Sequence, residues 1–500
     1  MNLGMEPESL DPRKARELAA QTLTRMLFEG LVRLSKDDVP ELALAKSVEV
    51  SPDLKTYTFH LRHTEWSNGD PVTAYDFEYA WKKVLSPNFA TDLAAQLYVI
   101  KKGKNAKQGK CSLEEVGIFC SDPLTLRIEL ENPTPYFLDL LALPVFFPVN
   151  QRVDKEDPFW HTKSESFVSN GPFVLKKWEH ENFIEAKKNG KYWDKDAVKL
   201  PKIHLVMVAT DTEFNMFEKE ELDWAGSPLS SLPLDALPPL KEKGILKVKP
   251  FLNSYFLRVN TEKVPFNSEL LRKAFALAID RQAIALHITY GSRVAATGLV
   301  PLSLGLQKEA YFKDGDVDAA RILFETALKE LNLEKKDFPE VSILYATGER
   351  NHIVTQAIVE QWYKAFGVRI KLENQEPKVY FSSISKQNYD LASCNWIGDF
   401  NDPINFLEVF KYKKPGSNNT GWENQEYKDL LDASTLAIAP EERSVLLQRS
   451  EKILLENMPI IPLFYSTMLY TNKTRVKDVA ISSMGSIDFK WASLNDGEEK

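Results

Sequence analysis

Residues 341–372 constrain the fold of this chain more than any other stretch. Val341-Ser342-Ile343-Leu344-Tyr345 has the apolar, β-branched character of a strand. Behind it Val354, Ala357, Ile358, Trp362, Ala365 and Phe366 recur at helical spacing, and Gly367 fits a C-terminal helix cap. Val368, Ile370 and Leu372 then alternate as a second strand. A strand, a crossover helix and a second strand require a parallel pairing, and parallel sheets need helices against their faces. The fold class is therefore α/β for at least the second half of the chain.

The remainder reads as further mixed structure. Tyr57, Phe59 and Leu61 alternate with polar residues, as do Leu124, Leu126, Ile128 and Leu130, which marks two half-buried strands. Between them Asn68-Gly69 signals a turn, and Thr73 suits the N-cap of a helix whose inner face carries Phe77, Ala80, Trp81, Val84 and Leu85. Leu246 to Pro250 and Asn253 to Asn260 read as two strands, the second a candidate crossing or hinge strand because composition changes after it. Lys101 to Lys110 reads as a solvated loop. Late in the chain a helix from Glu441 to Asn457 and a strand from Ile460 to Tyr465 close the α/β region, and the charged end up to Lys500 is expected to fray.

A second segment carries the candidate chemistry. The strand-like run from Tyr389 to Trp396 ends in Gly398 and an acid, Asp399, and Asp402-Pro403 follows. A carboxylate at the C-terminal end of a strand lies where open α/β sheets bind ligands, and it can pair with a cationic group such as an α-ammonium. Asp also favours turns and helix starts, so this segment alone leaves a purely structural role open for both acids.

Composition removes several function classes. Five hundred residues exceed one core and suggest about three domains. A net charge of −8 without clustered Lys and Arg argues against nucleic-acid binding. The longest apolar run, Phe137 to Val149, is broken by Asp139, Pro144 and Pro148 and is too short to span a bilayer. No signal peptide is visible, which fits either a cytosolic chain or a mature exported one. Three cysteines, Cys111, Cys120 and Cys394, leave at least one thiol free; Cys111 and Cys120 bracket a turn and could be bridged in an oxidising compartment. None has metal-ligand spacing, so no metal site and no cofactor is expected. Phosphate-binding glycine loops, dinucleotide fingerprints, HExxH helices and GxSxG elbows are all missing, so no catalytic residue is nominated.

Four segments together resemble one family, the extracytoplasmic oligopeptide-binding proteins of ABC importers (solute-binding family 5, peptide/nickel type). They are Ser9-Leu10-Asp11-Pro12 with Leu27-Phe28-Glu29-Gly30-Leu31; Tyr57-Thr58-Phe59-His60-Leu61-Arg62 running through Trp66-Ser67-Asn68-Gly69 to Tyr79-Ala80-Trp81; Pro265-Phe266-Asn267 with Arg272-Lys273-Ala274 and Ala278-Ile279-Asp280-Arg281; and Asn395-Trp396 with Asp399 to Pro403. The resemblance implies a periplasmic-binding-protein-like fold: two main lobes with mixed sheets joined by a hinge, plus an inserted third lobe. Lobe I would take residues 1–28, 167–251 and 473–500, lobe II the insertion 29–166, and lobe III residues 252–472. It also implies a non-enzymatic receptor that captures short peptides between lobes and delivers them to a membrane ABC permease, as a monomer without nucleic acid. Its place would be the periplasm or cell envelope, as a mature form whose lipid anchoring is left open. Narrower ligands in the same fold, such as glutathione or another modified peptide, and a secreted hydrolase of similar size, are the alternatives.

By the same resemblance Asp399 would pair, enclosed in the cleft, with the peptide α-ammonium. The strand from Ser393 through Cys394, Asn395 and Trp396 to Ile397 would offer main-chain groups to the peptide, with Trp396 as a wall of the first side-chain pocket. Asn253, Tyr255 and Asn351 complete the implied site. The family's cationic positions for the peptide C-terminus are Ser393 and Asn351 here, an aromatic wall position is Pro377, and an inter-lobe cysteine pair is replaced by Asn253 and Ile397. Lys14, Arg16, Arg258 and Lys386 are the replacement cations considered.

Overall fold

The computed structural model of the protein describes residues 1–289, 291–414 and 416–495; the expected fraying at Lys500 lies outside the described residues. The chain forms two compact units, Met1–Val248 with Met468–Lys500, and Lys249–Thr467.

The second unit is built on a mixed sheet. Its strands are β1 (Lys247–Val259), β2 (Arg293–Ala295), β3 (Val341–Ala346), β4 (Ile370–Gln375), β5 (Leu391–Ile397) and β6 (Ile460–Asn472). Their order is β6-β1-β5-β3-β4, with β2 added on β6. The helices that matter for the site are α1 (Glu349–Phe366), α2 (Pro377–Ser385), α3 (Ile404–Leu407) and α4 (Pro440–Asn457). The expected β-α-β unit is present: β3 and β4 run parallel from Val341↔Ile370 to Ala346↔Gln375, joined through α1. Gly367 closes α1 with φ +69, the left-handed conformation that favours glycine. The apolar face of α1 enters the core, where Trp362 and Phe366 lie 4.9 and 5.3 Å from the Phe275 ring and Phe366 stacks on Phe324 at 4.5 Å. Parallel strands place their carboxyl ends together, so the C-termini of β3 and β5 open on one edge beside the start of α1.

Two expected strands, 246–250 and 253–260, are one. β1 runs unbroken for 13 residues through Pro250. Pro250 is tolerated because it is exposed and lies before Asn253, where the pairing with β5 begins. The chain passes from the first unit to the second within β1 and returns within β6.

The first unit holds the antiparallel sheet of Ala45–Val50, Thr56–Leu61, Thr125–Glu129 and Ile118–Asp122. Tyr57, Phe59 and Leu61 are its buried residues on Thr56–Leu61, as alternation requires. Helix Ala74–Leu85 starts where Thr73 predicts, with Asp76 Oδ2 accepting from the Thr73 N–H at 2.8 Å. Lys101–Lys110 is not a free loop: Gly103–Lys107 is helical, and the Lys107 ammonium donates to the carbonyls of Val84 (3.0 Å), Ser86 (3.1 Å) and Phe89. Cys111 and Cys120 carry free thiols.

Several residues that carry the resemblance serve as internal clasps. Arg13 donates to Asp11 (2.8 Å) and to Asp154 (2.9 Å), all three buried. Burial works against the Asp154 charge, yet Arg13, Tyr79 and Trp160 outweigh it and hold the carboxyl below the usual range. In the second unit Arg281 is fully buried, donating to Pro462 O, Ile279 O and the Asp314 carboxylate.

Candidate functional site

β5 is the centre of the candidate site. It pairs antiparallel with β1, in the register Asn253↔Ile397, Ser254↔Trp396, Tyr255↔Asn395, Phe256↔Cys394 and Leu257↔Ser393. On its other side it meets β3 only at Ile343↔Leu391 and Leu344↔Ala392. Alternate main-chain groups of a strand point to opposite neighbours. From Ser393 to Ile397, those pointing away from β1 therefore have no strand partner among the described residues.

Residues directly opposite in an antiparallel pair share a face of the sheet. Ser393, Asn395 and Ile397 thus lie on one face with Asn253 and Tyr255, while Cys394 and Trp396 lie on the other. Side chains from all of the sequence-nominated positions cannot line one surface. On the first face the Tyr255 hydroxyl donates to Asn351 Oδ1 at 3.2 Å and bonds the Ser393 hydroxyl. Asn395 Nδ2 donates to Asn253 Oδ1 at 3.1 Å. These contacts join Tyr255 to Asn351 and Ser393, and Asn253 to Asn395, on one face of the sheet, where Asn395 and Ile397 are exposed. Burial holds the Tyr255 phenol above its ordinary range, so it acts as a neutral hydroxyl.

On the second face Cys394 is buried and held from the side. Its Sγ lies 3.1 Å from the Tyr380 hydroxyl and accepts from Arg258 at 3.6 Å; Tyr380 also donates to Ser393 O. Tyr380 comes from α2 and had no local signal in the sequence. The same contact occupies Arg258, which also donates to Ser417 O at 2.7 Å. Of the other cations considered, Arg16 is an exposed partner of Asp92 in the first unit.

The loop after β5 separates the two acids. Gly398 donates to Leu252 O at 2.8 Å, and a Cβ there would meet the Phe406 ring at 3.2 Å, closer than packing allows without movement. Asp399 is exposed, not enclosed as expected, with its N–H donating to Asn405 Oδ1 at 3.2 Å. The same oxygen accepts the Trp396 indole N–H at 3.2 Å, so one buried amide ties the strand end to the start of the loop. Asp402 has the structural role left open above. It is buried, caps α3 by accepting from Ile404 N–H at 2.9 Å, and holds Arg443 of α4 through two bonds of 2.7 and 2.8 Å. Asn405 lies three residues past Asp402 and was within reach of a sequence reading; Arg443 had no signal, being 41 residues away in the chain.

Comparison with known proteins decides the family. The description "Bacterial extracellular solute-binding proteins, family 5 Middle" matches residues 39–418. The chain belongs to this family. It is 42% identical to the oligopeptide-binding protein OppA of Bacillus subtilis over 98% of this chain and 92% of that one. Among solved structures, Listeria monocytogenes OppA bound to peptide superposes with a TM-score of 0.78 at 30% identity, covering 99% of this chain and 98% of that one. The complex of Haemophilus influenzae OppA with the peptide RPPGFSPFR gives a TM-score of 0.80 at 28% identity and the same coverage. The family-5 chain thus has the α/β fold of the periplasmic peptide-binding proteins. No helix among the described residues is long and apolar enough to cross a membrane.

Proposed function

We propose that this chain is the substrate-binding receptor of an ABC importer, taking short peptides and handing them to a membrane permease. The observation that carries the reading is the half-open edge of β5, which ends two residues before an exposed carboxylate. An extended peptide carries unpaired N–H and C=O groups that must be satisfied once water is displaced. Main-chain pairing to Ser393–Ile397 satisfies them whatever the peptide's side chains are. Asp399 then reads the one cation common to all such ligands, the α-ammonium. Asp399 is exposed, and the bound peptide supplies the desolvation that strengthens the pair. Trp396 shares Asn405 with the Asp399 N–H, which sets its indole beside the amino end as a wall for the first side chain.

The reading extends to three finer points: binding without turnover, division of the first unit into an insertion lobe (29–166) and a lobe from its remaining segments, and residence in the periplasm or cell envelope. Mass spectrometry of ligand retained through purification tests it. A mixed population of intact short peptides is expected. Cleavage products appearing with time on added peptides point instead to a hydrolase, and a single retained mass points to a dedicated ligand.

A further inference from the structure

The open edge of β5 is shorter than its strand partners alone suggest. Gly398 donates its N–H to Leu252 O on β1 at 2.8 Å. Main-chain direction alternates along a strand. Cys394 and Trp396 therefore also turn their N–H and C=O toward β1, and Ser393, Asn395 and Ile397 turn theirs away. These three outward residues are not equivalent. Asn395 and Ile397 are exposed, and their outward groups have no strand partner among the described residues. Ser393 is buried, and its outward carbonyl accepts the hydroxyl of Tyr380, a buried side chain of α2. The same hydroxyl lies 3.1 Å from Cys394 Sγ, so it is held at the strand from two sides. Burial raises the pKa of the phenol, which keeps its proton and remains a donor.

We propose that Tyr380 is a stop on this edge: by holding the Ser393 carbonyl it ends main-chain pairing with the ligand after the ligand's third residue. This rests on the peptide reading above and narrows its pairing to Asn395 and Ile397. A peptide whose amine is at Asp399 enters at the C-terminal end of β5 and runs antiparallel to it. Its first residue then stands opposite Ile397, the next outward position, its third opposite Asn395 and its fifth opposite Ser393. The first and third can exchange bonds with the edge. The fifth meets a carbonyl already taken. That carbonyl keeps a second lone pair, and the burial of Ser393 keeps a ligand N–H from it. Tyr380 acts on the ligand through Ser393, which makes it a positioning residue. A receptor with this stop reads the main chain of three residues, and residues from the fifth onward gain no further strand bonds.

The test is calorimetry of hexaalanine and of two analogues in which an ester oxygen replaces the amide N–H of the third or of the fifth residue. Each is titrated into the wild-type chain, Tyr380→Ala and Tyr380→Phe. Because Tyr380 is buried, thermal melting of each variant is recorded, and Tyr380→Phe, which keeps the ring and frees the carbonyl, serves if Tyr380→Ala does not fold. In the wild type the third-position ester should weaken binding about threefold to tenfold, the worth of one hydrogen bond, and the fifth-position ester by less than about threefold. In the folded variants the fifth-position ester should cost about threefold or more while the third-position penalty stays as it was. A general loosening of the site would move both penalties together. A fifth-position penalty of about threefold or more in the wild type, or one below that in the folded variants, overturns the stop and leaves the peptide reading intact. A wild type that binds no hexaalanine, or loses nothing from the third-position ester, overturns the edge pairing of the peptide reading itself.

Discussion

Removing the Asp402 carboxylate tests whether the loop that carries Asp399 is held from below. Asp402 and Arg443 are each about one-tenth exposed at the side chain and share two bonds of 2.7 and 2.8 Å. Asp402→Ala leaves the Arg443 guanidinium buried without this partner, a change that costs about 3–5 kcal/mol. It also removes the acceptor of the Ile404 N–H, adding about 1 kcal/mol for the lost cap. A unit of roughly 200 residues loses about 2–4 °C per kcal/mol, so its melting temperature should fall by about 10–20 °C. The assay is circular dichroism and calorimetry of wild type, Asp402→Ala, Arg443→Leu and the double variant Asp402→Leu/Arg443→Leu. The double variant should recover most of the loss, because an apolar pair of similar volume leaves no guanidinium facing an emptied site. At a temperature where Asp402→Ala stays folded, its peptide affinity should also fall, since the loop no longer fixes Asp399. A single-variant loss below about 1 kcal/mol, or a double variant no better than either single, refutes the reasoning.

The remaining perturbations follow the same logic. Asn405→Ala strands the Trp396 indole N–H and the Asp399 N–H; peptide affinity should drop about tenfold by calorimetry, against a loss of about 1–3 kcal/mol in stability. Glu451 is fully buried, accepts from the N–H groups of Leu299 (2.7 Å) and Val300 (2.8 Å) and from the Tyr311 hydroxyl (2.8 Å), and burial pushes its pKa from 4.5 up to about 6. A carboxyl raised on folding stabilises most below its unfolded pKa, and that stability is lost as pH rises through 6. The change amounts to about 2 kcal/mol. Glu451→Gln should therefore flatten the stability profile between pH 4.5 and 7 in denaturant titrations, and an unchanged slope contradicts the assignment.

The regular elements were legible because local chemistry and tertiary demand agree there. The stripe from Val354 to Phe366, the cap at Gly367 and the Thr73 helix start each state their structure within a few residues. β1 was misread as two strands because Pro250 is a strand breaker only where its N–H is needed. Lys107 was misread as solvated because the three carbonyls it satisfies lie 18 to 23 residues away. At the candidate site the alternation of β5 was readable in principle. Period two separates Ser393, Asn395 and Ile397 from Cys394 and Trp396. The structural role of Asp402 was not readable, because it depends on Arg443, a residue of another helix.

The central claim is that Asp399 recognises a free amino terminus delivered along the edge of β5. The direct measurement is the affinity of one tight-binding peptide, with its amine free or acetylated, for the wild-type chain and for Asp399→Asn. Acetylation should weaken wild-type binding at least tenfold, about 1.4 kcal/mol, and should matter little to Asp399→Asn, whose affinity for the free amine is already reduced to a similar degree. Equal binding of both peptide forms by the wild type, or an undiminished penalty for acetylation in Asp399→Asn, contradicts the account.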